Sequence, residues 1–269
     1  MLIDFHTHCF PPKVAEKAIP HLASICGQTP LTDGTFDDTR EKMRVWGVDK
    51  FLALNIATAP KQQTNVNNFA ASLDKKPADH GNCVCRALGS VHAAAPDALE
   101  ELERIKSLSL PGVKIHPDYQ GVEMDDKTLL EVYDLCSQWD MLCVFHAGLD
   151  PVSPDVTRVT PEKALTIHKK FPKLKMVLAH MGGFARWEEV EELLVGTGVF
   201  FDTSLASAHV PPEQALRIIQ NHGAERILFG SDCPWGSPEE GVRYIDALPL
   251  TSEEKDRIFY RNALELLQW

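Results

Sequence analysis

The sequence predicts an α/β protein, specifically a (β/α)8 TIM barrel, from three observations. Eight short apolar, β-branched runs alternate with eight longer amphipathic ones, which implies parallel strands joined by right-handed crossovers. The first run is not followed by the glycine-rich turn that an open dinucleotide-binding sheet carries. Polar residues fall where several of the apolar runs stop, and in a closed barrel those strand ends converge on one mouth.

Strands are expected over residues 2–5, 50–55, 84–91, 112–116, 141–146, 175–180, 199–203 and 226–229. Helices are expected over 37–46, 61–75, 96–108, 126–139, 161–171, 186–195, 212–221 and 238–248, with a closing helix over about 252–267. Ala95-Pro96-Asp97 and Thr160-Pro161-Glu162 each put proline near a first turn with an acid beside it, a helix start. Gly112, Gly196 and Gly223 fall where helices should stop. Residues 9–36 read as a long segment over the barrel mouth. There are no internal repeats, low-complexity stretches or linkers, so residues 1–269 are expected to form one domain.

Composition narrows the function classes. With 269 residues, 44% hydrophobic and 24% charged, the chain can build a core without disulfides or a structural metal. A metal would therefore serve chemistry rather than folding. The net charge is −11 and no Lys/Arg run is present, which argues against a nucleic-acid partner. The N-terminus lacks a basic segment followed by a long apolar one, so no signal peptide is expected. No stretch approaches the roughly 18 apolar residues of a membrane span. Seven scattered cysteines fit reduced thiols in a cytoplasm. Cys83 and Cys85 alternate within an apolar run, which reads as same-face packing rather than a metal pair. The expected partner is a small-molecule substrate; assembly as a homo-oligomer is left open.

The chemistry lies at the strand ends. His6 and His8 are two apart on the first strand, so both imidazoles share a face and can reach one ion. Imidazole is the commonest zinc ligand and suits iron or nickel as well. His146 ends Met-Leu-Cys-Val-Phe, His180 ends Lys-Met-Val-Leu-Ala, and Asp232 follows Ile-Leu-Phe-Gly-Ser. One buried, hydrogen-bonded histidine could be structural, but polar residues at so many converging strand ends point to a metal site.

These segments carry a resemblance. Asp-Phe-His-Thr-His at 4–8, Phe-His-Ala-Gly at 145–148, Leu-Ala-His-Met-Gly-Gly at 178–183 and Phe-Gly-Ser-Asp-Cys-Pro-Trp at 229–235 resemble the signatures of the amidohydrolase superfamily. They are most similar to its amidohydrolase-related branch, which includes aminocarboxymuconate-semialdehyde decarboxylase and related nonoxidative decarboxylases. The resemblance runs from Asp4 to Asn262-Ala263. It implies a divalent metal, with zinc the expected identity and one or two ions, bound by His6, His8, His146 and Asp232. By the same resemblance His180 is a second-metal ligand or a catalytic residue, and Asp232 also moves a proton. Lys114, in Gly-Val-Lys-Ile-His-Pro, matches a position that is carboxylated and bridges two metals in some members. Its plain alternative is a cation for a substrate carboxylate or a buried acid. The branch resembled favours one ion.

The expected function is therefore a metal-dependent hydrolase of a small polar amide, ester or lactone, using metal-activated water. The alternative is a metal-dependent nonoxidative decarboxylase with the same ligands; a barrel that binds metal without turnover is a third class. TatD-like nucleases and PHP-type phosphoesterases also carry His-x-His in barrels, but the missing basic stripe and the Gly-Ser-Asp-Cys-Pro-Trp segment argue against them. The decarboxylases tend to be longer, so the compact chain leans to hydrolysis. His116, two residues from Lys114, is expected on the same face and is read as a substrate-binding residue, with a loop-capping histidine as the alternative. His92 ends the third strand without a motif; Arg186 is read as a surface residue at a helix start, with a substrate carboxylate as its alternative partner, and Tyr119 and Trp235 as pocket walls or packed aromatics. Cys9 and Cys233 each follow a ligand and should face away.

Overall fold

The computed structural model describes residues 1–74 and 83–269. The strands are β1 (Ile3–Thr7), β2 (Lys50–Leu54), β3 (Val84–Leu88), β4 (Gly112–Ile115), β5 (Leu142–Phe145), β6 (Lys175–Leu178), β7 (Phe200–Asp202) and β8 (Ile227–Leu228). Every ladder between them is parallel. Two hydrogen-bonded seams close the ring. Gly89 N donates to Gly112 O at 3.0 Å and Lys114 N to Gly89 O at 2.8 Å, joining β3 to β4. Phe5 N donates to Phe229 O at 2.8 Å and Asp232 N to His6 O at 2.9 Å, joining β8 to β1. The structure is thus a (β/α)8 TIM barrel.

Each strand falls on its expected run; β2 and β4 to β8 end one or two residues earlier, β3 three earlier and β1 two later. The terminal polar residues have left the ladder to point into the mouth. Side-chain alternation divides the apolar residues into two cores. Ile3, Phe5, Leu52, Leu54, Leu88, Leu142, Val144, Val177 and Leu228 fill the barrel interior with Ala263, Leu266 and Leu267. Phe51, Ala53, Cys85, Ala87, Val113, Ile115, Cys143, Phe145 and Phe201 face the surrounding helices. Cys83 and Cys85 are packed in this outer core as the alternation predicts.

The helices are α1 (Pro12–Cys26), α2 (Phe36–Val45), α3 (Gln63–Asp74), α4 (Ala98–Ser107), α5 (Pro117–Gln120), α6 (Lys127–Gln138), α7 (Pro161–Lys170), α8 (Trp187–Leu193), α9 (Ala206–His209), α10 (Pro212–His222), α11 (Pro238–Ala247), α12 (Ser252–Asp256) and α13 (Asn262–Leu267). Their amphipathic spacing decides what they bury: α4 turns Ala98, Glu101, Leu102 and Ile105 inward, the i, i+3, i+4, i+7 stripe. Caps set their starts. Thr35, Asp126, Thr160 and Ser237 each accept a first-turn backbone N–H. Residues 9–36, read from sequence as a long segment over the barrel mouth, contain the 15-residue α1, entered through Pro12 and ended by the left-handed Gly27. The closing helix is α12 and α13 joined by a π-helical turn, Arg257–Arg261. The expected end of the 61–75 helix at Lys75 lies outside the described residues. Among the described residues no helix is long and apolar enough to cross a membrane.

Candidate metal centre

A register shift in β1 aims the first two histidines. Ile3 pairs with Lys50 and Asp4 with Phe51, but Thr7 pairs with Ala53, so β1 carries one extra residue between these pairs. Ile3 and Phe5 lie in the interior core, and unbroken alternation would turn His6 and His8 outward. The bulge resets the phase. Thr7 now matches the outward-facing Ala53, and His6 and His8 enter the barrel.

The outer nitrogen of each ring is committed. His6 Nδ1 donates to Asp202 Oδ2 at 2.8 Å and His8 Nδ1 to the Leu54 carbonyl at 2.9 Å. Both protons are thus on Nδ1, and the two Nε2 lone pairs face each other at 3.2 Å. Asp232 Oδ1 lies 3.2 Å from His6 Nε2 and 3.1 Å from His8 Nε2. Three lone-pair donors therefore form a triangle with no proton left to bridge the two rings. Donors held about 2.0–2.2 Å from one ion at octahedral or tetrahedral angles stand about 2.8–3.6 Å apart. The triangle fits a divalent cation.

A second pair shows the same logic. His146 Nε2 donates to Leu149 O at 3.1 Å. His180 Nδ1 donates to Ser204 Oγ at 2.8 Å, and Ser204 passes its own proton to Asp202. His146 Nδ1 and His180 Nε2 are left bare and face each other at 3.1 Å. His180 and Asp232 reach these places through left-handed backbone, φ 59° and 69°, uncommon for side chains other than asparagine or glycine and concentrated at functional sites. Gly148, φ 88°, lets the loop after β5 press against the loop after β6, where a Cβ would lie 2.1 Å from Phe184 N.

Electrostatics favours ligand forms. Burial pushes His6 down to about 4 and drives His146 well below its ordinary value; it lowers His180 as well. Neutral rings have free lone pairs, which a metal requires. Burial opposes the Asp232 charge, yet the His6 and His8 rings beside it hold its carboxyl down to about 2. Lys114, 1% exposed, stands on the inward face of β4, in register with Val144. Burial pulls it down to about 8, while the charges of Asp202, Asp232 and Asp150 work the other way. Among the described residues Lys114 Nζ has no hydrogen-bond partner.

The strand-end rule thus brings His6, His8, Asp232, His146, His180 and Lys114 to one mouth. His116 lines it too: its ring stacks on His146 at 4.3 Å and on Tyr119 at 3.8 Å. His92 does not join them; its Nδ1 caps a turn by accepting from Ala94 N at 3.2 Å. Arg186 pairs with Glu189 at 3.1 Å. Trp235 donates its backbone N–H to Asp232 O at 2.8 Å, supporting the loop that carries Asp232. Cys9 and Cys233 are packed in the outer core. Two buried acids escaped the sequence reading. Asp202 follows Val199-Phe200-Phe201 and would have been found by the rule that found His146. Asp150 lies in a loop, where no periodicity marks it.

The comparisons place this barrel. A family model described as amidohydrolase matches residues 3–269. The chain belongs to the amidohydrolase family. Among solved structures, this amidohydrolase is similar to an uncharacterized TIM-barrel protein from Bordetella bronchiseptica, with a TM-score of 0.78 at 18% identity over 99% of this chain and 98% of that one. It is similar to 2,6-dihydroxybenzoate decarboxylase from Rhizobium, with a TM-score of 0.71 at 16% identity over 99% and 98% of the two chains. A third match is a dihydroxybenzoic acid decarboxylase from Polaromonas, solved with bound manganese and the inhibitor 2-nitroresorcinol. Its TM-score is 0.70 at 15% identity over 99% and 96%. At these identities the likeness establishes the fold of this amidohydrolase.

Proposed function

We propose that the chain is a single-domain, metal-dependent decarboxylase of a small carboxylated molecule. The observation that carries this reading is the buried Lys114 side chain, which has no hydrogen-bond partner among the described residues and stands beside an inward-facing ring of metal-binding donors. In so dry a site a fixed cation stabilises negative charge that develops during reaction far more than it would in water. Loss of carbon dioxide leaves an electron pair on carbon, and the Lys114 cation on the inward face of β4 would hold that charge.

His6, His8 and Asp232 would hold the divalent ion, with His146 and His180 beside them. When bound, the ion supplies a Lewis acid that polarises a substrate oxygen. The chain's own groups do the rest. Asp202 fixes His6 and, through Ser204, His180. The other Asp232 oxygen, Oδ2, is free to exchange a proton with the substrate. Tyr119 and His116 wall the pocket. Manganese in the Polaromonas structure supports a divalent ion and leaves zinc as one candidate among several. The seven cysteines are an odd number scattered along the chain, which supports a reducing, cytoplasmic setting.

The chain's compactness favours hydrolysis in the sequence reading, but the decarboxylase from Rhizobium is matched over 98% of its own length. That argument therefore loses its force, and the decarboxylases named among the similar structures support the lyase. Hydrolysis of an amide, ester or lactone is the second reading. It is favoured by the ionised Asp232 carboxylate, which can accept a proton from water.

Turnover of a panel of hydroxybenzoates, dicarboxylates, lactones and esters in heavy water enriched in oxygen-18 separates the two. The lyase is expected to release carbon dioxide and place one solvent deuteron on the carbon that lost it. Oxygen-18 in a product carboxyl, without carbon dioxide, would overturn decarboxylation in favour of hydrolysis.

A further inference from the structure

The β8–β1 seam carries the whole ligand triangle: His6 lies in β1, His8 follows it, and Asp232 comes after β8. Backbone bonds hold the seam on both sides of the bulge. Phe5 N donates to Phe229 O at 2.8 Å before it; Asp232 N donates to His6 O at 2.9 Å and His8 N to Cys233 O at 2.7 Å after it. Between them the ladder is interrupted. Regular parallel pairing would return Ser231 N to Phe5 O, but the extra residue in β1 breaks that phase. A side chain takes over. Asp4 Oδ1 accepts Ser231 N at 3.0 Å and His6 N at 3.1 Å, and Asp4 Oδ2 accepts Ser231 Oγ at 2.5 Å. Ser231 Oγ in turn accepts Cys233 N at 3.0 Å.

Asp4 is fully buried. It pairs with the outward-facing Phe51 and lies between Ile3 and Phe5 of the interior core, so its carboxylate stands behind the strand while the imidazoles enter the barrel in front. Backbone N–H groups buried without an acceptor are costly, and the bulge would leave two of them at this seam. Every group that Asp4 serves adjoins the triangle. His6 N belongs to one of its members, and Ser231 and Cys233 flank Asp232, whose left-handed backbone needs support on both sides. We infer that Asp4 is a positioning residue for the metal centre: with Ser231 it splices the β8–β1 seam across the bulge and fixes His6, His8 and Asp232 against one another. The inference rests on the reading of these three as ligands. It gives a task to the buried acid of the Asp-Phe-His-Thr-His segment, which faces away from the barrel interior.

Three variants separate positioning from mere stabilisation of the barrel. Asp4→Ala removes the acceptor of both backbone N–H groups. Ser231→Ala leaves Ser231 N on Asp4 but takes the acceptor from Cys233 N, and it covers the case in which Asp4→Ala does not fold. Asp4→Asn keeps one oxygen for His6 N and Ser231 N, and Ser231 Oγ can accept from its amide nitrogen. The first readout is amide hydrogen exchange in the metal-free protein. Asp232 N and His8 N, whose own acceptors the substitutions leave in place, are expected to exchange about tenfold faster in both alanine variants, relative to Lys114 N at the β3–β4 seam. The second is the cobalt or zinc affinity of the folded variants by chelator competition, expected to fall about 10–100-fold, as for other outer supports of metal ligands. The visible spectrum of bound cobalt should change with it. Asp4→Asn should recover most of both losses. A residue that only stabilised the barrel would leave the affinity of the folded protein and the relative exchange of these amides as they are. Unchanged affinity in the folded alanine variants, seam amides no faster than Lys114 N, or an asparagine variant as weak as Asp4→Ala would overturn the role. If the wild type bound no metal, the functional reading would fail, while exchange at the seam would still judge Asp4.

Discussion

Asp232→Asn is expected to lower turnover by about 10²–10⁴-fold at saturating metal, the usual contribution of a positioned acid or base and about 3–5 kcal/mol of barrier. In the proposed function the carboxylate would have two tasks on two oxygens. Oδ1 completes the triangle with His6 and His8, while Oδ2 is left for the substrate. Asparagine keeps the shape and one ligating oxygen, but it puts a donor where the proton must be received or returned. Turnover and metal content measured on the same preparation check this. Near-normal turnover with metal bound would remove Asp232 from proton transfer.

Lys114→Ala is the second large effect, and it also reports the number of ions. Asp202, Asp232 and Asp150 are the carboxylates whose charge reaches Lys114. With Lys114 as an ammonium the group keeps two net negative charges, which a single divalent ion neutralises. A carbamate at Lys114 would leave four, which two ions neutralise. The ammonium is the form expected of Lys114. The variant should then keep one ion per chain and lose about 10²–10³-fold in turnover, comparable to removing one preorganised group that stabilises developing charge. Short carboxylic acids should not restore activity. Two ions per wild-type chain, their partial loss in the variant, and rescue by such acids would establish the bridging carbamate instead.

Much of this was legible in the sequence because strand periodicity and strand ends are local signals. The order of apolar runs locates the eight strands, and the polar residue after each run locates His146, His180 and Asp232. What was not legible depends on backbone detail. Simple alternation from Ile3 and Phe5 would point His6 and His8 away from the barrel interior, and only the bulge in β1 reverses that. The left-handed turns at His180 and Asp232 have no glycine or asparagine at those positions to announce them. Helix α1 was not among the expected helices; Pro12 starts it and Pro20 is accommodated within it. Asp202 was available to the same strand-end rule, and its roles appear only when the partners of His6 and Ser204 are known. Asp150 depends on a loop conformation that no spacing encodes.

The central claim is that the inward lone pairs of His6, His8, Asp232, His146 and His180 form a divalent metal centre. The most direct test is the metal content of the wild type and of the double variant His6→Ala with His8→Ala, after loading with manganese or zinc and dialysis. Neither histidine belongs to the apolar interior that holds the barrel together, so the double variant should still unfold cooperatively. The account predicts one tightly held ion per wild-type chain and none in the folded double variant; full metal stoichiometry in that variant, or a wild type that holds no ion, would contradict it.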